Sequence, residues 1–309
     1  MKDWYMIIEN DYRFIGSDIR KIRESKGITR KEIAENIFIS EETIRRIEKG
    51  DNDPRISTLV PICNYIGVDI KDLINERQFE YNNLLSLRKD IGNLLNNASV
   101  NKAKLLIKSL DDFDFSNNLA RERELKATKH YFNGLLAIKN NAREENPSEE
   151  LENALSDLNS RFKINKFKNY KYDDFSLRIL LALATSEYKK GNFDLYRDIM
   201  AEMNTYINTS IDNYFLFCYN LAIFHTRNEK YEQSINICKQ AIANARKIED
   251  TTYLNMIYYA KGLNHLYLYE YDKAKESFDY CKVLTNIFAS DIIITSLSSE
   301  IDNLMLKNK

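Results

Sequence analysis

The sequence predicts an all-α protein built from two structural units. Only eight Gly and three Pro interrupt its 309 residues, and the abundance of Leu, Ile, Lys, Glu and Asn favours helices over strands. Two short amphipathic segments separated by a tight turn lie near the N-terminus, and longer helical segments that form pairs follow from about residue 76. With 44% hydrophobic residues, a chain of this length can bury a sizeable core.

The two short segments lie between Ile28 and Gly50 and have the signature of a helix-turn-helix. Thr29 is an N-cap residue with Glu32 three positions later, which predicts a capping box. Ser40 is expected to cap the second helix, and Gly50 to end it in a left-handed conformation. Both helices place aliphatic residues on their inner faces, namely Ile33, Ala34, Ile37, Ile44 and Ile47.

Three further helices are expected around this pair. The first runs from about 17 to 26 and stops at Gly27. A fourth helix, capped by Ser57, carries Leu59 and the following aliphatic residues inward. A fifth short helix, 69–74, closes the first unit, and the apolar stretch 4–8 is expected to pack on it.

The spacing of caps, small residue, aliphatic residues and terminal glycine resembles Cro/repressor-type (XRE) DNA-binding domains. The residues that carry the resemblance are Thr29, Glu32, Ala34, Ser40, Gly50, Pro54 and Leu59. It implies a five-helix DNA-binding domain over 1–75, with an ion pair between Lys21 and Glu48. Phe38 stands where that family usually has a glycine, and positive φ at a bulky residue costs about 1 kcal/mol.

The second helix of this motif would read DNA in the major groove. Arg45 and Arg46 lie about 100° apart on the helix, so one is expected to read a base and the other to hold a phosphate. Glu41 and Glu42 fit either a cytosine contact or stabilisation of the helix dipole. The expected phosphate-side residues are Arg30, Ser40, Thr43 and Lys49. The alternative is that these charges only solvate a helix face.

The second unit is predicted to contain five helix pairs and one last helix. The expected pairs are 77–96 with 100–112, 119–140 with 148–163, 173–190 with 193–207, 211–227 with 231–247, and 251–269 with 271–287, followed by a capping helix at 290–306. Small and aromatic residues recur with a period of 40, since Ala222, Tyr231 and Cys238 match Gly262, Tyr271 and Phe278. The spacings resemble tetratricopeptide repeats with elongated helices.

A Cro-like domain followed by degenerate tetratricopeptide repeats resembles the RRNPP group of peptide-sensing regulators, the Rgg, PlcR and PrgX type. The resemblance implies a homodimeric cytoplasmic transcription regulator used in quorum sensing. Its DNA-binding domain would be 1–75, and its repeat domain, 76–309, would dimerise and bind a short signalling peptide on the inner surface. Its partners would then be an operator in double-stranded DNA and that peptide.

The inner surface of such an array is lined by the first helix of each pair. Asn220 is the sharpest candidate, because an amide can both donate to and accept from a peptide backbone. The expected peptide-binding residues are Arg178, Tyr188, Lys189, Leu216, Tyr219, Asn220, Ile223, Arg227, Met256, Tyr259, Leu263 and Tyr267. The alternative for the tyrosines and the methionine is packing between repeats.

Composition and motifs exclude several other classes. A net charge of −1 excludes a uniformly basic nucleic-acid-binding protein. Four cysteines without C-x-x-C spacing indicate reduced, buried thiols in a reducing cytoplasm. The apolar stretch 4–8 is too short for a signal or membrane segment. No catalytic or phosphate-loop motif is present, so we expect no enzyme, cofactor, metal or membrane partner, and interpret His225 and His265 as packing residues.

Two functional hypotheses therefore remain. The first is a peptide-responsive transcription regulator, whose dimer places two recognition helices in successive major grooves. The second is a DNA-tethered scaffold, whose repeats bind a segment of another protein and no small signal.

Overall fold

The computed structural model describes residues 13–51, 54–116, 118–140, 146–247 and 251–307. Within these ranges the regular secondary structure is helical, and no strand occurs. The α-helices are α1 Arg13–Ser25, α2 Arg30–Ile37, α3 Glu41–Lys49, α4 Ile56–Ile66, α5 Ile70–Asn96, α6 Val100–Lys108, α7 Leu119–Asn140, α8 Pro147–Leu158, α9 Asp174–Lys190, α10 Phe193–Met203, α11 Tyr214–Arg227, α12 Tyr231–Asn244, α13 Leu254–Tyr267, α14 Tyr271–Phe288 and α15 Asp291–Lys307. The predicted all-α class, a helix-turn-helix followed by helical repeats, is confirmed. The apolar stretch 4–8 lies outside the described residues.

The chain divides into two compact units. One contains the described residues up to Ile91 together with Leu105–Thr128, and the other contains Gly92–Lys104 and the residues from Lys129 onward. Helices α5, α6 and α7 therefore each contribute to both units.

The first unit has its core between α1, α2, α3 and α4. Helices α1 and α3 approach so closely that a Cβ at Gly16 would overlap the carbonyl oxygen of Ile47. Only glycine fits at this position without moving a helix. The fully or almost fully buried residues of this core are Ile15, Ile19, Ile33, Ala34, Ile44, Ile47, Leu59, Ile62, Cys63, Ile66 and Leu73.

The predicted capping of α2 and α3 is confirmed. Thr29 accepts from the backbone N–H of Glu32, whose side chain accepts in return from the Thr29 N–H. The Ser40 hydroxyl accepts from the Thr43 N–H at 3.0 Å, and Gly50 ends α3 with φ 70°. Phe38 ends α2 with φ 57°, and its ring is 95% exposed, so no packing offsets the strain of the left-handed conformation.

Two predictions for the end of this unit were wrong. The fourth helix begins one residue earlier than Ser57, because Arg55 occupies the N-cap position and makes no side-chain capping bond. The helix expected at 69–74 does not end there but continues without interruption to Asn96. Neither glycine nor proline follows Ile74 closely to stop it, and the domain boundary expected at 75 falls inside this helix.

The second unit contains the helix pairs, and its last two pairs keep the predicted period of 40 in the backbone itself. Asn213 and Tyr253, 40 residues apart, both adopt positive φ just before α11 and α13, and Glu229 and Tyr269 do so just before α12 and α14. Close approach of the two helices within a pair involves Gly262, where a Cβ would lie 2.7 Å from the ring of Phe278.

Helix α15 follows the last pair and covers its apolar face, as predicted for a capping helix. Leu297 and Ile301 of α15 pack with Phe278 and Cys281 of α14 in one buried cluster. Ser290, which precedes α15, donates from its backbone N–H to Asn97 Oδ1 at 3.4 Å and from its hydroxyl to the Asn97 carbonyl at 3.3 Å. The segment that follows α5 is thus joined directly to the start of the last helix.

The four cysteines are buried free thiols, in agreement with the prediction. None of the described helices is both long and apolar enough to cross a membrane.

Candidate DNA-binding surface and ligand groove

Helix α3 is held with one face in the core and the other face exposed. Ile44 and Ile47 are buried in that core. At its N-terminus the Ser40 and Thr43 hydroxyls are 2.7 Å apart and bond to each other. Both expected phosphate-side hydroxyls therefore lie together at the start of the helix.

The charged residues on the exposed face of α3 are arranged by sign along the helix, with acidic residues first and basic residues last. Glu41 and Glu42 lie in its first turn, and Arg46 and Lys49 lie in its last. All four residues are exposed. This order complements the helix dipole, and it leaves the predicted DNA-contacting side chains accessible.

Arg45 and Glu42 form a tight pair on this face. The Arg45 Nε donates to Glu42 Oε2 at 2.6 Å, and Arg45 Nη2 donates to Glu42 Oε1 at 2.5 Å. The hydrogen bond from Arg45 is the main cause that lowers the Glu42 pKa. The Arg45 side chain stays 36% exposed.

The ion pair expected between Lys21 and Glu48 is not formed. The Glu48 carboxylate is fully buried and accepts from Arg23 Nε at 2.6 Å and from Arg30 Nε at 2.7 Å. Lys21 is 74% exposed and lies 3.9 Å from Asp18. The reason is the register of α1, which turns position 23 toward α3 and position 21 toward solvent. Arg30, expected near phosphate, is thus bound to Glu48 through Nε.

The second unit contains a groove of about 680 Å³. Its walls are formed by first helices of pairs, by the segment before α13 and by α15. The residues that line it are Asn93, Asn96, Asn97, Lys139, Tyr219, Thr251, Thr252, Tyr253, Asn255, Met256, Ala289, Ile293, Ser296, Leu297 and Glu300. Amides, apolar side chains and both signs of charge are therefore brought together, as in sites that bind a mixed polar and apolar ligand.

The charged residues of the groove have distinct surroundings. Burial lowers the pKa of Lys139, and the positive charge of Lys189 adds to that effect. The Glu300 carboxylate accepts at Oε1 from the Tyr259 hydroxyl at 2.5 Å. Burial raises the pKa of Tyr219 to about 12, so its hydroxyl is neutral at physiological pH and can donate to a ligand.

Arg178 lies close to Gly92, a residue that adjoins this groove in the chain. A Cβ at Gly92, the residue before groove-lining Asn93, would lie 3.7 Å from Arg178 Nη2. Its pKa is raised, mainly by the neighbouring Tyr131 hydroxyl. Its Nε is buried without a hydrogen-bond partner. A side-chain hydrogen bond with Tyr131 and the charge of Asp212 also favour its charged form. An anionic ligand would further stabilise this buried guanidinium, which has one unsatisfied N–H.

The structure brings only some of the predicted peptide-binding residues to the groove. Tyr219 and Met256 line it, and Tyr259 touches it through Glu300. Tyr188 and Arg227 instead pack on each other, with the Arg227 Cζ 3.8 Å from the centroid of the Tyr188 ring.

Other predicted residues are engaged elsewhere. Tyr267 packs on Tyr231, with ring centroids 5.2 Å apart, and Lys189 Nζ donates to the Ile138 carbonyl at 2.9 Å. Asn220 donates to the Leu216 carbonyl of its own helix at 2.8 Å, which leaves its side-chain oxygen for another partner. Leu216, Ile223 and Leu263 are partly buried.

Sequence reasoning missed the contributions of α5 and α15. Asn93 and Asn96 lie near the end of α5, whereas Ile293, Ser296, Leu297 and Glu300 lie on α15. The spacing of these α15 residues, at i, i+3, i+4 and i+7, is a helix-face signal in the sequence. That signal predicts only a capping helix, because nothing in the sequence shows that α15 meets the residues around α5.

The histidines of the repeats occupy packed positions. His265 is 4% exposed, and its Nδ1 lies 2.5 Å from Glu270 Oε2. His225, its equivalent 40 residues earlier, packs on Phe224, and desolvation lowers its pKa. Among the described residues, no group of three His, Cys, Asp or Glu side chains could hold a metal ion.

Comparison with known proteins places the first unit among helix-turn-helix domains. A family model described as helix-turn-helix matches residues 19–73. Over 62 residues the chain is 27% identical to the cryptic phage CTXphi transcriptional repressor RstR of Vibrio cholerae, a match that covers 20% of this chain and 56% of RstR. The chain thus spans about half the length of that relative. It is also 26% identical over 62 residues, again 20% of this chain, to an uncharacterised HTH-type transcriptional regulator of Sinorhizobium fredii, of which 80% is covered.

Solved structures resemble the chain over almost its whole length. Bacillus thuringiensis PlcR, in complex with the peptide PapR7 and DNA, aligns with a TM-score of 0.56 at 17% identity, covering 94% of this chain and 99% of that one. The competence regulator ComR of Streptococcus vestibularis, in complex with its cognate signalling peptide XIP, aligns with a TM-score of 0.52 at 16% identity, covering 93% and 96% of the two chains. The fold is therefore that of the RRNPP-type regulators that the sequence resembles.

Proposed function

We propose that this chain, with its helix-turn-helix unit and RRNPP-type fold, is a sequence-specific DNA-binding transcriptional regulator controlled by a short signalling peptide. The DNA-binding domain would occupy 1–75 and the peptide-binding repeats 76–309. The protein would act in the cytoplasm as a homodimer, because two recognition helices about 34 Å apart match successive major grooves of an operator.

Support for DNA binding comes from the exposed face of α3. It presents Arg45, Arg46 and Lys49 for base edges and phosphates, with Ser40 and Thr43 at the end that approaches the backbone. Both relatives that match this unit are named as transcriptional regulators.

Support for a peptide ligand comes mainly from Arg178. Its buried guanidinium has an unsatisfied Nε and lies close to Gly92, which precedes the lining residue Asn93 of a groove that contains amides together with Met256, Ile293 and Leu297. Amides suit an extended backbone, the apolar wall suits side chains, and a cation suits a terminal or side-chain carboxylate. The complexes of PlcR and ComR contain signalling peptides, in agreement with this proposal.

The DNA part is tested by selecting operators from random duplexes and measuring affinity by fluorescence anisotropy at two salt concentrations. We expect saturable, sequence-dependent binding that weakens steeply with salt. Exchange of the exposed Arg46 for Ala should reduce affinity, whereas Arg197→Ala, an exposed arginine of α10, should not. Binding without sequence preference would overturn the proposal.

The peptide part is tested with the full-length protein and random heptapeptides, made with free and with amidated C-termini. We expect a subset to bind and to change operator affinity. An Arg178→Met variant should lose this binding while its thermal midpoint without peptide stays about equal, because the loss of the Tyr131 hydrogen bond is offset by removal of the unsatisfied buried Nε. If Arg178 had a structural role instead, the exchange would lower that thermal midpoint. Arg197→Met is the matched control.

The scaffold hypothesis predicts a different result. In that case no heptapeptide binds. A large protein partner instead co-purifies with the repeat unit, and this co-purification requires the groove residue Met256. Specific DNA binding without a peptide response would therefore retain the DNA-binding half of the proposal and overturn the other half.

A further inference from the structure

The Arg45 guanidinium has two edges that can each make a pair of hydrogen bonds, because its five N–H donors lie in one plane. Glu42 occupies one of them, the edge formed by Nε and Nη2, with both of its carboxylate oxygens. Nη1 and the second hydrogen of Nη2 form the other edge, which points away from Glu42. The Arg45 side chain is 36% exposed. Its hydrogen bonds to described residues use the first edge, and the nearby charge of Asp51 also favours the charged guanidinium.

The second edge has the geometry that guanine requires. Two parallel donors on one guanidinium edge match the O6 and N7 acceptors of guanine in the major groove. A lone arginine must lose side-chain rotamer freedom to make this contact. Arg45 has already lost much of that freedom, because two hydrogen bonds to Glu42 fix the plane of its guanidinium before any DNA is bound.

We infer that Arg45 reads a guanine through its second edge and that Glu42 is the positioning residue that aims it, without touching the base. Arg46, about 100° further around α3 and exposed, would then contact a phosphate. The inference rests on the proposed DNA-binding function. It deepens that function by assigning different roles to two adjacent arginines.

The same geometry argues against the cytosine contact, one of the two roles that the sequence left open for Glu42. Both carboxylate oxygens already accept from Arg45, so a cytosine amino group would have to compete with a bidentate partner. Glu41, exposed one residue earlier in the same first turn, remains to interact with the helix dipole. It makes no ion pair with a described residue, which makes it a matched control.

The experiment uses the full-length protein and its selected operator. Anisotropy measures the affinity for all four bases at each operator position, and Arg45→Ala identifies the position where guanine preference is lost. We expect Glu42→Gln to reduce guanine preference at that same position about fivefold, the upper range for an exposed ion pair. Glu41→Gln removes the same charge and should leave that preference within about twofold.

A double-mutant cycle separates positioning from a general charge effect. Lysine carries the same charge as arginine but has no planar fork for Glu42 to orient. In the Arg45→Lys background, Glu42→Gln should therefore change the base preference by less than about twofold. An equal loss in both backgrounds would show that Glu42 acts on the base or on the helix directly.

Three further results would overturn the inference. The first is that Arg46→Ala, and not Arg45→Ala, abolishes a guanine preference. The second is that Glu42→Gln and Glu41→Gln have the same effect on that preference. Both would leave the proposed DNA-binding function intact. The third, a wild-type protein with no base preference at any position, would overturn that function together with the inference.

Discussion

Glu48 of α3 is bound by Arg23 of α1 through two hydrogen bonds, from Nε at 2.6 Å and from Nη2 at 3.2 Å. The Glu48 side chain is fully buried and that of Arg23 is 8% exposed. With Arg30 on its other side, this carboxylate joins three helices of the helix-turn-helix unit around one charge.

Removal of that charge should therefore destabilise the unit strongly. We expect Glu48→Gln to lower the free energy of unfolding by about 3 kcal/mol, because two largely desolvated guanidinium groups lose their counter-charge. Chemical denaturation followed by circular dichroism measures the change. Lys21→Gln, at the exposed position that the sequence resemblance assigned to this pair, should leave stability unchanged. A large effect at Lys21 and none at Glu48 would contradict the observed pairing.

Phe38 has backbone strain that its side chain does not offset, since its φ is 57° and its ring is 95% exposed. We expect Phe38→Gly to stabilise the first unit by about 1 kcal/mol in chemical denaturation, because glycine adopts positive φ without a steric cost. Gly27, with φ 67° and no neighbouring atom within 4 Å of the position a Cβ would take, is the matched reverse case. Gly27→Ala should destabilise by about the same amount. Equal stability of the Phe38 variant and the wild type would show that the ring makes an unrecognised contribution.

Gly262 allows α13 and α14 to pack in contact, since a Cβ there would meet the Phe278 ring at 2.7 Å. We expect Gly262→Ala to destabilise the second unit by about 1–3 kcal/mol through overpacking, measured by thermal unfolding. The additional exchange Phe278→Leu should recover part of this loss, although it is destabilising by itself. Gly92→Ala is the control, because its Cβ would make an ordinary contact at 3.7 Å and should stabilise its helix.

Burial raises the pKa of the Cys63, Cys218 and Cys281 thiols to about 11 each, and that of Cys238 to about 12. The pKa of an unfolded thiol is ~8.5. Because the folded pKa values are the higher ones, their contribution to stability is complete below pH ~8.5 and is lost as pH rises toward about 11. We expect the midpoint of urea denaturation to fall over this range.

Replacement of Cys238 by Ala tests this assignment. The variant should be less stable at neutral pH, since a buried side chain is removed, but its stability should fall less steeply between pH ~8.5 and ~11 than that of the wild type. Thiol reagents at mildly alkaline pH should modify none of the four cysteines in the folded protein and all of them in urea. Rapid modification of a folded thiol would contradict its burial.

The helices of the repeats were largely predictable because their signals are local. Gly191 ends α9, and the recurrence of small and aromatic residues predicts the pairs from α9 to α14 to within a few residues. Predictions from the sequence were wrong where no local signal marks the end of a helix. Ile74 and Asn75 contain no stop signal, and α5 continues beyond them to Asn96.

The candidate DNA-contacting residues could be predicted from the sequence more completely than the residues of the ligand groove. All exposed residues of α3 follow from the phase of a single nine-residue helix, which two buried isoleucines fix. The groove instead combines Asn93, Met256 and Glu300 from helices far apart in the chain. No periodicity within one helix shows which other helices face it.

The sequence by itself determined the helical class, the caps of α2 and α3 and the repeat period, because each depends on residues within a few positions or on a constant spacing. Only the tertiary structure decided that Arg23, rather than Lys21, pairs with Glu48, and that Ser290 joins Asn97 across 193 residues. These contacts depend on how helices rotate and meet when their apolar faces are buried. That packing is a property of the whole assembled unit, and not of any segment within it.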